Sequence, residues 1–191
     1  MTVMRPHPQP SCSRRGFLRA SAVGAALVCA RLILPQAVWA QGGPVGKLTL
    51  LNLQTDERLS VVYRNEEGRY DESALNDLNY LLRCHHTNQS IMMDVQLIEF
   101  LNLVQLRLGG RREVHVISGY RSPEYNAHLI DIGKRAARHS YHVSGQAVDI
   151  QIPGVPLRTV RDAALRLGRG GVGYYPRSRF VHLDSGPFRF W

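Results

Sequence analysis

Two short runs of alternating residues near the end of the chain place ionisable side chains among apolar ones, and this pattern constrains the fold strongly. Residues 148–152 read Val-Asp-Ile-Gln-Ile, and residues 180–184 read Phe-Val-His-Leu-Asp. Alternation with a period of two is typical of strands, and it places His182 and Asp184 on one face. Asp149 stands between branched apolar residues, where a carboxylate is costly unless it is paired or bound to a metal.

A third polar group precedes the first of these runs. His142 lies seven residues before Asp149, and Gly145 between them permits a sharp turn. If the two strands are neighbours, His142, Asp149 and His182 can converge. Three nitrogen and oxygen ligands would leave the fourth position of zinc open, as in catalytic sites. The alternative from spacing alone is a strand-buried aspartate and two surface histidines, because an isolated H-x6-D pattern is common.

Four sequence blocks follow one another through the second half of the chain. They are residues 118–126 (SGYRSPEYN), 140–150 (SYHVSGQAVDI), 170–176 (GGVGYYP) and 180–186 (FVHLDSG). Together they resemble the M15-type zinc peptidases of bacterial cell walls, and more narrowly the DUF882 branch with its murein endopeptidases. The resemblance extends over about residues 47–191. It implies a Hedgehog/D-Ala-D-Ala-peptidase-like zinc peptidase fold.

The resemblance also implies a site and an activity. It implies one zinc ion per chain, held by His142, Asp149 and His182. It further implies that Arg121 binds substrate or stabilises the oxyanion, and that Ser140 helps to position the substrate. The implied activity is zinc-dependent hydrolysis of cross-links between stem peptides of peptidoglycan, with the bond between two meso-diaminopimelate residues as one candidate. Two alternatives remain open: a D,D-carboxypeptidase or dipeptidase of the same family, and a non-catalytic peptidoglycan-binding domain.

The chain departs from the family pattern at one position. Many M15 relatives place an acidic general base three residues before the last histidine ligand, and this chain has Arg179 there. Asp184 lies two residues after His182 on the same strand face, so it is the nearest candidate for the general base. The alternative role for Asp184 is to orient a ligand histidine.

A glycine-rich run precedes the last strands. Residues 168–173 read Gly-Arg-Gly-Gly-Val-Gly. The run lacks the lysine of a P-loop and the strand-then-helix order of a dinucleotide site. It is therefore predicted to be a flexible turn that brings Tyr174 and Tyr175 near the cleft. Tyr175 then either contacts substrate or packs in the core.

The first 40 residues resemble an export leader. Residues 13–19 read Ser-Arg-Arg-Gly-Phe-Leu-Arg, which matches the twin-arginine pattern, and residues 20–30 form a mildly apolar core. Small or tolerated residues precede position 41, which predicts cleavage after Ala40. Arg31 interrupts the apolar run well short of the roughly 20 residues that a membrane span needs.

These features predict two parts of the chain. Residues 1–40 are expected to be a twin-arginine signal peptide, and residues 41–191 a zinc peptidase domain. The twin-arginine translocase would be a partner during export, the protein would act in the periplasm, and no stable membrane insertion is expected.

The basic charge of the chain is weak evidence for nucleic-acid binding. The formal net charge is +9, but five of the 24 basic residues lie in the leader, which has no acidic residue. The remaining 19 basic and 15 acidic residues leave +4 on residues 41–191. No nucleic-acid-binding motif accompanies this excess, so no nucleic-acid partner is expected. Attraction to an anionic wall polymer is compatible with it.

Periodicity predicts an α+β fold in which helices pack against a small, mainly antiparallel sheet. A hairpin is expected from residues 47–53 to residues 59–64, and a strand at residues 114–118. Helices are expected at residues 71–83, 94–108, 123–132 and 155–167.

Overall fold

The computed structural model describes residues 44–110, 112–134 and 136–191, and the predicted signal peptide at residues 1–40 lies outside them. In this part of the chain, seven strands form one sheet and four helices accompany it. The strands are β1 (Gly46–Asn52), β2 (Glu57–Arg64), β3 (Val114–Ser118), β4 (Ala147–Gln151), β5 (Gly171–Tyr175), β6 (Phe180–Asp184) and β7 (Arg189–Phe190). The helices are α1 (Glu72–Leu81), α2 (Val95–Arg107), α3 (Pro123–Asp131) and α4 (Leu157–Leu165). The predicted α+β class is therefore confirmed.

The sheet is mixed, which corrects the prediction of a mainly antiparallel one. Its strand order is β2-β1-β3-β4-β6-β5-β7. The β1–β3 and β5–β7 pairs are parallel, whereas the other neighbours are antiparallel. β2 runs antiparallel to β1, so it returns the chain to the end of the sheet where β1 begins. After α1 and α2, β3 starts from that same end and therefore runs parallel to β1.

The helices begin where short polar side chains can cap them. Asp71, Asp94 and Ser122 each accept a hydrogen bond from a backbone N–H in the first turn of α1, α2 and α3. Pro123 stands at the start of α3, where its missing N–H costs nothing. The four helices lie within their predicted ranges, and α4 is shorter than predicted at both ends.

The glycine run is only partly the turn that its composition predicts. Gly171 already begins β5 and pairs with Asp184 of β6. Gly170 has a φ of 54°, and a Cβ atom there would overlap the Asp184 carbonyl oxygen. The run therefore ends as a close-packed strand, since only glycine allows the backbone to approach Asp184 so closely.

The core surrounds the two strands that bear the alternating patterns. Val148, Ile150 and Leu183 are buried, as the apolar positions of both runs predict. Leu97 and Leu101 of α2 are also buried in this core. In the described part of the chain, no helix has the length and apolar character needed to cross a membrane.

Candidate metal centre

Neighbouring strands bring Asp149 and His182 together. In the antiparallel β4–β6 pair, Asp149 lies directly opposite His182. The Nδ1 atom of His182 lies 2.8 Å from Oδ1 of Asp149. The adjacency expected from the two alternating runs is therefore present, and the strand register alone sets this contact.

A tight turn places His142 beside this pair. Gly145 has a φ of 69°, and Ile91 and the Met92 carbonyl leave no room there for a Cβ atom. The Nδ1–H of His142 donates to the Gly119 carbonyl over 2.7 Å, which directs Nε2 of the same ring inward. That Nε2 lies 3.3 Å from Nδ1 of His182 and 3.3 Å from Oδ1 of Asp149.

The three side chains form a donor set that fits a metal cation. One ligand atom from each of His142, Asp149 and His182 lies within 4.8 Å of the other two. Among the described residues this is the single group of three or more His, Cys, Asp or Glu side chains with such spacing. Two imidazoles and one carboxylate suit zinc, and three protein ligands are the number found in catalytic zinc sites.

The charges of the site also favour a cation. Burial lowers the pKa of His142, which keeps its ring neutral. Burial alone would raise the pKa of Asp149, but the His142 and His182 rings hold it well below its usual value. Burial would lower the pKa of His182, yet contacts with the Asp149 and Asp184 carboxylates raise it. Two carboxylates therefore flank His182, and each of them is also paired with an arginine.

Asp184 contacts His182 on the ring nitrogen that faces away from Asp149. Its Oδ2 lies 3.1 Å from Nε2 of His182 and accepts from Arg189 over 2.7 Å. Its Oδ1 accepts from Arg189 over 3.0 Å and from the backbone N–H groups of Gly171 and Gly186. The carboxylate is completely buried. These contacts engage both oxygens of Asp184, which suits a carboxylate that orients the His182 ring.

Arg121 lies on the opposite side of the site. Its Nη2 donates to Oδ2 of Asp149 over 2.7 Å, and its Nε donates to the Ser118 hydroxyl over 2.9 Å. The Arg121 backbone N–H donates to the His142 carbonyl over 3.1 Å. Nη1 of Arg121 has no protein partner among the described residues. The guanidinium is thus fixed beside the Asp149 carboxylate, with one donor nitrogen left for another molecule.

Two cavities that share lining residues lead to His142, Asp149 and His182, which together are called the metal group below. A cavity of about 210 Å³ lies over His142, Asp149 and His182, and an open cleft of about 760 Å³ adjoins it. Arg121 and Asp149 border both spaces, as do two aromatic side chains, Tyr175 and Phe180. The site is therefore reachable through the adjoining cleft.

Ser140 and Tyr175, the two other residues predicted to contact substrate, both border a cavity. Both line the cavity over the metal group. The Ser140 hydroxyl accepts from the His142 backbone N–H over 3.3 Å. The Tyr175 ring stacks on Phe180 at 4.6 Å, and its hydroxyl accepts from Nε1 of Trp191 over 2.7 Å. Tyr175 thus forms part of an aromatic wall at the cavity.

Several residues at the site were missing from the sequence-based prediction. The Gly119 carbonyl holds the His142 ring, and the Ser118 hydroxyl holds the Arg121 guanidinium. Both residues lie in a block that carries the family resemblance, but neither was assigned a role from the sequence. Arg189 pairs with Asp184, and the Trp191 ring lies 5.4 Å from the ring of His182. Arg189 begins β7 and Trp191 directly follows it, but the sequence does not reveal which strand β7 joins.

Arg179, which stands at the position of the usual acidic base, lines neither of the two cavities. Arg179 has a φ of 58° and ends the turn between β5 and β6. Asp149 is the single carboxylate among the described residues that line the two cavities. Its two oxygens face the histidines and Arg121.

Comparison with known proteins identifies the family. Residues 41–191 match the family described as "Peptidoglycan L,D-endopeptidase MepK". The peptidoglycan L,D-endopeptidase MepK of Escherichia coli K12 is 43% identical over 144 residues, which cover 75% of this chain and 79% of that protein. The "Probable peptidoglycan L,D-endopeptidase MepK" of Haemophilus influenzae is 43% identical over 145 residues, covering 75% and 77%. The expected relation to M15-type peptidases is confirmed, and the chain belongs to the peptidoglycan L,D-endopeptidase MepK family.

Proposed function

We propose that this protein is a zinc-dependent peptidoglycan endopeptidase that hydrolyses cross-links between stem peptides. The observation that carries the proposal is the buried group of His142, Asp149 and His182 at the end of an open cleft. Family membership and the names of the relatives support the substrate class. The same evidence supports the Hedgehog/D-Ala-D-Ala-peptidase-like arrangement as the finer description of the fold.

In this mechanism the three ligands would hold one zinc ion per chain. Bound zinc supplies a Lewis acid for the scissile carbonyl and lowers the pKa of water. The Gly119 carbonyl fixes the tautomer of His142, so that Nε2 faces the ion site. Arg121 presents Nη1 beside that site, where it can donate to a carboxylate or to the oxyanion that develops during hydrolysis. Ser140 and Tyr175 border the space in which the peptide would lie.

We assign Asp184 an orienting role instead of the general-base role. Its contact with Nε2 of His182 leaves Nδ1 of that ring for the metal. Both of its oxygens already accept hydrogen bonds, and the carboxylate is completely buried. A base must reach the proton that it removes, and a fully engaged carboxylate behind the ring is poorly placed to do so.

The shape of the cleft favours an endopeptidase over a carboxypeptidase or dipeptidase. An enzyme that removes terminal residues is expected to have a narrow, capped pocket. Here the cleft of about 760 Å³ extends beyond the metal group and is open. The relatives are named L,D-endopeptidases, and this supports the diaminopimelate–diaminopimelate cross-link as the bond that is cut.

Mass spectrometry of soluble muropeptides tests the activity. The zinc-loaded protein is expected to convert cross-linked dimers to monomers, and the product masses identify the bond. His142→Ala should lose both zinc and turnover, whereas the control His128→Ala, an exposed histidine that lines neither cavity, should keep both. Binding of sacculi without any change in muropeptides, in a sample with stoichiometric zinc, would instead support the non-catalytic binding domain.

We further propose that residues 1–40 are a twin-arginine signal peptide and that the protein acts in the periplasm. The motif at residues 13–19 supports this, and the family match spans residues 41–191. Replacing Arg14 and Arg15 by lysine should stop export of the full chain. Unchanged recovery of the lysine variant from the periplasm would contradict the proposal.

A further inference from the structure

The open cleft beside the metal group carries two basic side chains without protein partners. Lys134 follows α3, and Arg177 lies in the turn between β5 and β6. Both residues are exposed, and both line the cleft. No ion pair or side-chain hydrogen bond joins either of them to another described residue. Two different elements thus direct unpaired cations into one space.

The other charged groups of the cleft do not neutralise these cations. Arg121 and Asp149 form an ion pair at 2.7 Å and offset each other. Burial lowers the pKa of His85, with a further contribution from neighbouring cations, so its ring is neutral near pH 7. The described residues that line the cleft include no other carboxylate. The walls therefore carry about two uncompensated positive charges, a field that attracts anionic ligands.

Apolar surface accompanies the two cations. Tyr125, Tyr174, Phe180 and Leu129 line the same cleft. Such walls can cover the aliphatic part of a ligand, while the ammonium and guanidinium groups meet its charged end. The ligand that fits this combination has a hydrocarbon chain that ends in a carboxylate.

We propose that Lys134 and Arg177 form a carboxylate-binding subsite that selects stem peptides with a free carboxylate near the scissile bond over the corresponding carboxamides. The subsite rests on the proposed function, because the cleft joins the metal group through Arg121 and Asp149. A carboxamide fills the same volume but offers no charge to the two cations. The selection therefore acts mainly on binding and raises KM for amidated substrate.

The test compares two synthetic muropeptide dimers cross-linked between diaminopimelate residues. One dimer has free diaminopimelate carboxylates, and its twin has carboxamides there. The zinc-loaded full chain is expected to show a KM about tenfold lower for the acid, since each exposed charge contact contributes a factor of about three. The double substitution Lys134→Gln, Arg177→Gln should bring the two KM values together without changing kcat.

A matched control separates a local subsite from general attraction. Lys47 and Arg158 are exposed, and neither lines the cleft. The double substitution Lys47→Gln, Arg158→Gln removes the same charge elsewhere and should preserve the acid preference. Equal KM values for both dimers with the unaltered protein, or an equal loss of preference in the control, would overturn the proposal.

Binding measured by calorimetry keeps this test separate from the activity. The titrations use the same two dimers and the His142→Ala chain. Because this variant should not cleave either dimer, the measured affinity does not depend on turnover. If the unaltered protein cleaves neither dimer while the acid still binds more tightly in a manner that needs Lys134 and Arg177, the endopeptidase proposal fails and the subsite stands. Equal binding of acid and amide overturns the subsite whether or not the protein is a hydrolase.

Discussion

The orienting role of Asp184 leads to a prediction that separates it from a general base. Asp184→Asn keeps the size of the side chain and removes its charge. The amide oxygen can still accept from the backbone N–H groups of Gly171 and Gly186. The amide nitrogen then replaces an oxygen that meets donors from Arg189 at 2.7 Å and His182 at 3.1 Å. Both of these contacts become unfavourable.

The structure sets the size of the effect. Losing a hydrogen bond between charged groups costs about 1.5–3 kcal/mol. The Arg189 side chain is 38% exposed, so water replaces part of its lost contact, whereas His182 is only 12% exposed. We therefore expect Asp184→Asn to lower the free energy of unfolding by about 2–4 kcal/mol. Zinc affinity should fall about 10- to 100-fold, as is typical when the partner of a ligand histidine is lost.

Two titrations measure these effects without any substrate. Urea unfolding of the metal-free protein gives the stability, and competition with a chromophoric chelator gives the zinc affinity. Asp162→Asn is the matched control, because Asp162 pairs with Arg161 at the surface, and it should cost less than about 1 kcal/mol. Unchanged stability and zinc affinity in Asp184→Asn, together with a collapse of turnover, would refute the orienting role and restore the general base.

Three further predictions concern the metal, one glycine and one ion pair. Zinc at about 100 times its Kd should raise the free energy of unfolding by about 2.7 kcal/mol, and His142→Ala should abolish this gain in urea titrations. Gly119→Ala places a Cβ atom against the Leu82 carbonyl, so we expect a loss of about 1–3 kcal/mol and weaker zinc binding by the same two titrations. The hydrogen bond from Arg83 lowers the pKa of Glu57. The contribution of this ion pair to the free energy of unfolding is therefore complete above the unfolded pKa of about 4.3, and it disappears as pH falls through the folded pKa. The stability difference between the unaltered protein and Glu57→Gln should therefore shrink as the pH falls below about 4.3, and a constant difference would contradict this assignment.

The sequence predicts the approach of the metal-site residues because local patterns determine most of it. Alternation fixes which face of β4 bears Asp149 and which face of β6 bears His182. The glycine at 145 permits the turn that returns His142 to the same place. Only the adjacency of the two strands had to be assumed, and the sheet provides it.

Other parts of the structure depend on contacts that local patterns do not encode. The parallel β1–β3 pairing joins strands that are separated along the chain by β2 and two helices, so local sequence patterns do not predict it. The role of Asp184 depends on Arg189, whose guanidinium reaches the site because β7 joins the sheet beside β5. Sequence periodicity predicts strands and faces, but strand order arises from packing across the whole sheet.

The turn at residues 119–121 has a consequence for how this scaffold could change its specificity. The Tyr120 N–H donates to the Leu82 carbonyl over 2.8 Å, and Gly119 and Arg121 both bond to His142. A substitution that moves this turn would disturb the end of α1, Arg121 and the proposed metal ligand His142 together. Lys134 and residues 176–179 around Arg177 are exposed, and among the described residues none of them makes such a bond to His142, Asp149 or His182. Directed evolution of substrate preference should therefore succeed at these outer segments and fail at the turn, so that new specificities arise around an unaltered centre.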